Sequence, residues 1–258
     1  MSPRFSGPRN ALSLFTVIPA GTSGTLEPRD AVRAVAWMPG VGVALGVLGG
    51  LVVAGTGGGS GARRLLGAVL ALALVALLTG ALHLDGLADT ADGLGSRRPA
   101  DAALDIMRKS DIGPMGVAAL VLVLLIQVTA LAAVPSPLTA ALAFTLAQAT
   151  SRVAVVLATG SPAARPGGFG ALIAGRTSAF SRGLSVALLA GAVLAVGFGL
   201  GGAGLAVRGL AAATAGLLAG TGMRLIAVRR LGGTTGDVFG SVVEVTATAV
   251  LLACALAG

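Results

Sequence analysis

Residues 115–134, MGVAALVLVLLIQVTALAAV, run for twenty positions without one charged side chain. In water such a segment has no solvated face. As a helix rising about 1.5 Å per residue it matches the roughly 30 Å hydrocarbon core of a bilayer. Working outward, six more apolar segments fall at 36–55, 65–84, 138–158, 184–206, 209–227 and 241–257. Hydrophobic residues make up 55% of the chain and charged residues 11%, with a mean hydropathy of +0.94, whereas soluble domains are about a quarter charged. Repeated small residues, as in GVGVALGVLGG, favour close helix approach in lipid over the alternating pattern of a β-barrel. The expected fold is all-α: a polytopic transmembrane helical bundle of about seven spans, with residues 1–258 forming one membrane domain.

The net charge of +8 is spread singly or in pairs among apolar spans with few aromatics, which argues against nucleic-acid binding. Sorted by loop, it reports topology instead. One side receives Arg4, Arg9, Arg29, Arg33, Arg97, Arg98, Arg108, Lys109, Arg165, Arg176, Arg182, Arg224, Arg229 and Arg230; the other receives Arg63, Arg64 and Arg208. The positive-inside rule then places the N-terminus in the cytoplasm and the C-terminus outside. The opening MSPRFSGPRNALSLFTVIPAG has the basic start of a signal peptide, but Pro19 interrupts it and no A-x-A site follows cleanly, so a retained juxtamembrane or re-entrant segment is expected. Cys254 is the only cysteine, which excludes an intramolecular disulfide and a cysteine-based zinc site.

Of ten acidic residues, three stand within eight positions in HLDGLADTADGLGS, residues 83–96. An Asp at the bilayer centre costs about 2.5–3.5 kcal/mol, so the stretch is expected to continue the preceding span as helix beyond the hydrocarbon until Gly93 and Gly95 stop it. On that helix Asp85, Asp89 and Asp92 fall within an arc of about 60°. Three carboxylates on one face need a positive partner, and hard oxygen donors suit Mg²⁺ or Mn²⁺ shared with substrate phosphate. The alternative is a solvated acidic helix end beneath the membrane. His83, the only histidine, lies about 160° around from Asp85; it is a general base, a metal ligand, a phosphate donor or a residue bonded to backbone.

Downstream, ALDIMRKSDIGPMG brings Arg108, Lys109 and Ser110 ahead of Gly113 and Pro114. The two cations suit phosphate oxygens, and positive-inside anchoring accounts for them equally well. A second constellation, RRLGGTTGDVFGSVVEV (229–245), carries Gly232, Gly233 and Gly236, whose amides can approach an anion, with Thr234 and Thr235 as hydroxyl donors. It lacks the Lys of a Walker loop. Asp237 and Glu244, seven residues apart, share a helical face, and Glu244 enters an apolar span. Arg152 in QATSRVAVV should likewise face the bundle interior, pairing with an acid or binding phosphate.

These residues together resemble the cobalamin synthase (adenosylcobinamide-GDP ribazoletransferase) family. The similarity rests on HLDGLADTADGLGS followed by ALDIMRKSDIGPMGVAAL, and extends through LFTVIPA, WMPGVGVALG, SRVAVV, ARPGGFGALIAG and LGGTTGDVFGSVVEV. It implies a Mg²⁺-dependent membrane enzyme that joins adenosylcobinamide-GDP to alpha-ribazole or its 5′-phosphate and releases GMP. The positions that match are His83, Asp85, Gly86, Asp89, Asp92 and Gly93; Arg108, Ser110, Gly113 and Gly116; Arg152 and Arg165; and Gly233, Thr235, Gly236, Asp237 and Glu244. Met115 departs from the aromatic residue common there. The resemblance implies metal binding by Asp85, Asp89 and Asp92, proton acceptance by one of these or Asp237, and phosphate binding by Arg108, Lys109 and Arg152. Two other readings compete. A CDP-alcohol phosphotransferase also clusters Asp on a membrane helix, but its D-G-x2-A-R pattern fails where Asp89 follows Ala88. A transporter would use Asp237, Glu244 and Arg152 within the membrane, although no inverted repeat is visible.

Overall fold

The computed structural model describes residues 6–20, 26–57 and 60–257; Arg4, counted above for topology, lies outside them. Among the described residues ten helices follow in order: α1 Ser6–Phe15, α2 Pro28–Thr56, α3 Gly61–Leu78, α4 Leu82–Gly95, α5 Ala100–Ile106, α6 Pro114–Ala133, α7 Pro137–Ala158, α8 Gly168–Ile173, α9 Ala179–Leu231 and α10 Gly236–Leu256. Among the described residues no strand forms, only an isolated bridge between Ala163 and Thr234. Proline opens α2, α6 and α7, where its missing N–H loses no hydrogen bond. Ser136, Ser178 and Thr235 cap α7, α9 and α10 by accepting from the amides of Thr139, Ser181 and Val238.

Six of these helices are long and apolar enough to cross a membrane, and the longest supplies two crossings. At Gly202 the α9 backbone turns to φ 70° and ψ −163°. A Cβ on Gly197 would lie 2.4 Å from Ala206 Cα, and one on Gly209 would lie 2.8 Å from Val193 Cγ1. Residues nine and sixteen apart touch in this way only if 179–201 and 203–231 fold back as a tight hairpin. Seven crossings result, with the break inside the expected 184–206 span rather than after it. Gly202 is decisive because its positive φ is a conformation that L-residues rarely adopt.

The second departure follows α3. The expected 65–84 span stops at Leu78, and Gly80 and Ala81 both take left-handed φ, 58° and 56°. The aspartates therefore sit on the separate helix α4 rather than on a continuation of the span. Gly95 ends α4 as expected, with Arg97 at φ 56° beyond it.

The core forms where small residues let helices meet. Along α2, a Cβ on Gly42, Gly46 or Gly49 would reach within 2.5, 2.7 and 2.2 Å of Gln148 O, Thr145 Cα and Phe144 Cε1 on α7. Backbone-level approach of this kind is how helices gain contact in lipid, where no hydrophobic drive separates helix from solvent. Phe144, Ala147, Val153 and Val156 make α7 the central helix. Following the crossings in order puts α1, α4, α5, α8 and the 231–236 loop on one face of the bundle. The opening segment is helical over α1, which packs on α2 and is too short to span.

Candidate active site

On that face, α4 and α10 meet backbone to backbone. A Cβ on Gly86 would fall 2.7 Å from Asp237 O, and one on Gly240 would fall 3.0 Å from His83 O. Glycine at both positions lets the helices approach, and the approach brings Asp85 and Asp89 beside Asp237. Asp89 registers the crowding: burial, then the charges of Asp85, Asp237 and Asp92, raise its carboxyl to about 6.

Asp92 is engaged differently. Its Oδ2 accepts from Gly113 N at 2.7 Å and its Oδ1 from Gly116 N at 2.9 Å. These are the N-cap and third-position amides of α6, so Asp92 caps that helix from a distance and fixes α4 to it. Cβ atoms on Gly113 or Gly116 would collide with this carboxylate at 2.4 and 2.5 Å. Among the described residues no three His, Cys, Asp or Glu side chains are placed to hold one metal ion.

Asp237 opens α10. Thr235 Oγ1, whose oxygen caps the helix, also donates to Asp237 Oδ2 at 3.2 Å, and Arg165 Nη2 approaches the same oxygen at 3.7 Å. Arg165 Nη1 in turn donates to Leu104 O at 3.1 Å, holding α5 against the site. Gly233 is a packing residue: its Cβ would meet Pro162 O, Ala163 C and Ala164 N at 2.5 Å, and its neighbour Thr234 bonds that segment through Thr234 N to Pro162 O. Gly236 has open space where a side chain would stand, which suits ligand approach.

Asp85, Arg165, Thr235, Gly236 and Asp237 border a cavity of about 430 Å³, whereas Asp89, Asp92 and Gly233 are not among its lining residues. Its polar lining includes His83, Asp85, Arg165, Thr234, Thr235 and Asp237; its apolar lining is Leu14 and Phe15 of α1, Met38 of α2, Leu82 of α4, Val155 of α7, Phe169 of α8 and Phe239 of α10. Phe15 and Phe169 meet edge to face at 5.7 Å between ring centroids. His83 is 5% exposed and its Nε2 has no hydrogen-bond partner. Burial, and then the charge of Arg152, push its imidazole well below the usual value, so the ring is neutral.

Other expected residues lie elsewhere. Arg108, Lys109 and Ser110 are exposed between α5 and α6 and do not border the cavity; Arg108 only approaches Asp105 at 3.9 Å. Arg152 is 2% exposed inside α7, donating to Gln148 Oε1 and, at 3.1 Å, to Ser151 Oγ. Glu244 accepts from Gln127 Nε2 at 2.9 Å. Neither Arg152 nor Glu244 lines the cavity; they form a buried polar layer among α6, α7 and α10. Phe15, Met38 and Phe169 join the site with no shared sequence motif, and only Phe169, set between glycines in ARPGGFGALIAG, carries a local signal.

A seven-crossing helical bundle with a cavity of carboxylates, one guanidinium and aromatic rings at one face defines a polytopic membrane enzyme. The chain belongs to the cobalamin-5-phosphate synthase family, whose pattern it matches over residues 7–255. It is 42% identical to an adenosylcobinamide-GDP ribazoletransferase of Frankia casuarinae, over 96% of this chain and 94% of that one. It is 41% identical to one of Pseudomonas aeruginosa (95% and 96%) and 38% identical to one of Bradyrhizobium diazoefficiens (96% and 92%). No solved structure matches. The protein is thus a transferase of cobalamin synthesis, and the phospholipid-enzyme and transporter readings fall away.

Proposed function

We propose that this protein transfers the adenosylcobinamide-phosphate group of adenosylcobinamide-GDP to alpha-ribazole or its 5′-phosphate, with Mg²⁺ as cofactor. The observation that carries the reading is the cavity where Asp85, Asp237, Arg165 and Thr235 converge, in a chain whose relatives named for this reaction match end to end. A ribazole hydroxyl oxygen forms the new bond to the cobinamide-linked phosphorus, the bond from that phosphorus to the GMP oxygen breaks, and GMP departs. Such transfers are catalysed mainly by positioning and charge neutralisation.

Asp85 and Asp89 are the carboxylates left to hold Mg²⁺, since Asp92 already serves two amides. Two protein carboxylates, with phosphate and water completing the shell, are the usual protein share for this ion. When bound, Mg²⁺ supplies neutralisation of diphosphate charge. Asp237 takes the proton of the attacking hydroxyl, with Thr235 and Arg165 fixing its carboxylate. Arg165 and the open backbone at Gly236 bind phosphate oxygen. Glu244 ties α10 to α6 through Gln127, and Arg152 is bonded within α7. The basic face, which carries the cavity, is cytoplasmic.

The test is GMP release by the purified full chain in lipid nanodiscs, given Mg²⁺, adenosylcobinamide-GDP and alpha-ribazole. Metal-dependent release is expected, together with inactivity toward a CDP-lipid and an alcohol. No release from the cobinamide donor overturns the proposal.

A further inference from the structure

A second cavity, of about 830 Å³, shares no lining residue with the active site. It exists because α2 and the first limb of α9 both pack on α7 while scarcely meeting each other. Its lining follows α7 from Ser136 to Val153, about 25 Å at 1.5 Å per residue, or most of the roughly 30 Å hydrocarbon depth. The groove is open along its side, where Trp37 and Leu188 are exposed. Its polarity is graded along its length. Leu146, Val153 and Leu188 line the body, and the hydroxyls of Thr145 and Ser185 turn to their own helices, each donating at 2.9 Å to Ala141 O and Ser181 O. The polar end lies on the face opposite the active site, where Ser136 starts α7 and Arg208 stands beside Ala257 at the end of α10.

We infer that this groove is a binding site for one anionic phospholipid, its phosphate on Arg208 and the Ser136 hydroxyl and an acyl tail lying along α7 toward Trp37. The inference is independent of the transferase reading. Charge selects the occupant. Arg208 is exposed and donates only to backbone, from Nε to Gly204 O and from Nη1 to Ala257 O, both at 3.3 Å. Among the described residues no carboxylate pairs with it, so both Nη2 hydrogens are left for phosphate oxygen. Ser136 Oγ accepts from Thr139 N and keeps its own proton to donate. A second copy of the chain, inserted the same way round, cannot supply the missing anion. Of the ten acidic side chains, Glu244 is in the buried layer and the other nine belong to the active-site face: Glu27 and Asp30 where α2 begins, Asp85 to Asp111 between α4 and α6, and Asp237. A phospholipid brings both the anion and the apolar length. At about 830 Å³ the space is in the upper part of the roughly 300–1,000 Å³ of small-molecule sites, and a tail in it fills the gap between α2 and α9.

Trp37 is the only tryptophan of the chain and lines the groove, so its fluorescence reads occupancy directly. The full-length protein in detergent is titrated with phosphatidylglycerol brominated near its tail ends, and separately with phosphatidylcholine carrying the same tails. Quenching by phosphatidylglycerol should saturate, at an affinity roughly fivefold tighter than for phosphatidylcholine, the scale of one cation attracting an anionic lipid. Arg208→Gln should abolish that preference, and Arg208→Lys, which keeps the charge, should retain part of it. Ala192→Phe, which fills the groove from an exposed position, should remove saturable quenching by both lipids while leaving the helical circular dichroism unchanged. Quenching that rises linearly without saturation, equal affinity for the two lipids in the wild type, or a preference that survives Arg208→Gln overturns the inference, since lipid then only surrounds the chain. A dimer in which Trp37 is shielded from both lipids overturns it as well, by placing a second copy in the groove.

Discussion

Asp89 shows how an environment prepares a carboxylate for a cation. Burial and three neighbouring carboxylates oppose its ionisation, and a bound divalent ion reverses that opposition. The consequence for stability has a definite sign. Its folded value of about 6 stands above the ordinary 3.8, so its contribution is most favourable below the lower value and is lost as pH rises through the higher one. Metal-free protein, followed by thermal unfolding in EDTA, should therefore be less stable than Asp89→Asn at pH 7.5, and the gap should close below pH 4; a gap of opposite sign would contradict the crowding. With metal present, Mg²⁺ affinity should rise as pH increases through about 6. The acidic trio was legible from 3.6-residue periodicity alone, because its members share one helix. Their division of labour was not: what separates Asp92 from Asp85 is the pair of α6 amides more than twenty residues away.

At the scale of elements, α4 is positioned by its neighbours rather than by the span before it. Gly86 and Gly240 set its distance from α10, and Asp92 sets its angle to α6. Asp92→Ala removes two charge-assisted amide bonds, each worth about 1.5–3 kcal/mol, and uncaps α6. Thermal unfolding should show a loss on that order, with most of the activity gone, whereas Asp92→Asn, which keeps one acceptor oxygen, should fall between. An unchanged unfolding midpoint in Asp92→Ala would show that the cap carries no load. The break after α3 escaped sequence reading because LLTGALHL is uncharged and mostly apolar, with only Thr79 and His83 polar, and hydropathy does not register the left-handed backbone at Gly80 and Ala81. The turn at Gly202 was displaced for a similar reason: it sits in a run of glycine and alanine with no polar loop to mark it.

Across the whole molecule, the spans were legible because lipid imposes one strong requirement, a length of apolar helix, and composition answers it directly. The cavity was legible on its acidic side only. Its apolar wall is gathered from α1, α2, α7 and α8, elements far apart in sequence with no periodicity linking them, while Arg108, Lys109 and Ser110 share a loop that does not reach the cavity. The seven-crossing arrangement predicts that, in a Cys254→Ala background, cysteines at Ser178 and Arg230 are labelled from one side of the membrane and a cysteine at Ser60 from the other; Ser178 and Arg230 on opposite sides would contradict the hairpin at Gly202. The most direct test of the whole account compares Asp89→Asn with Asp105→Asn, an exposed carboxylate that approaches only Arg108, in Mg²⁺-dependent GMP release from adenosylcobinamide-GDP. Background release from the first and wild-type release from the second is the predicted result; full activity in Asp89→Asn would contradict it.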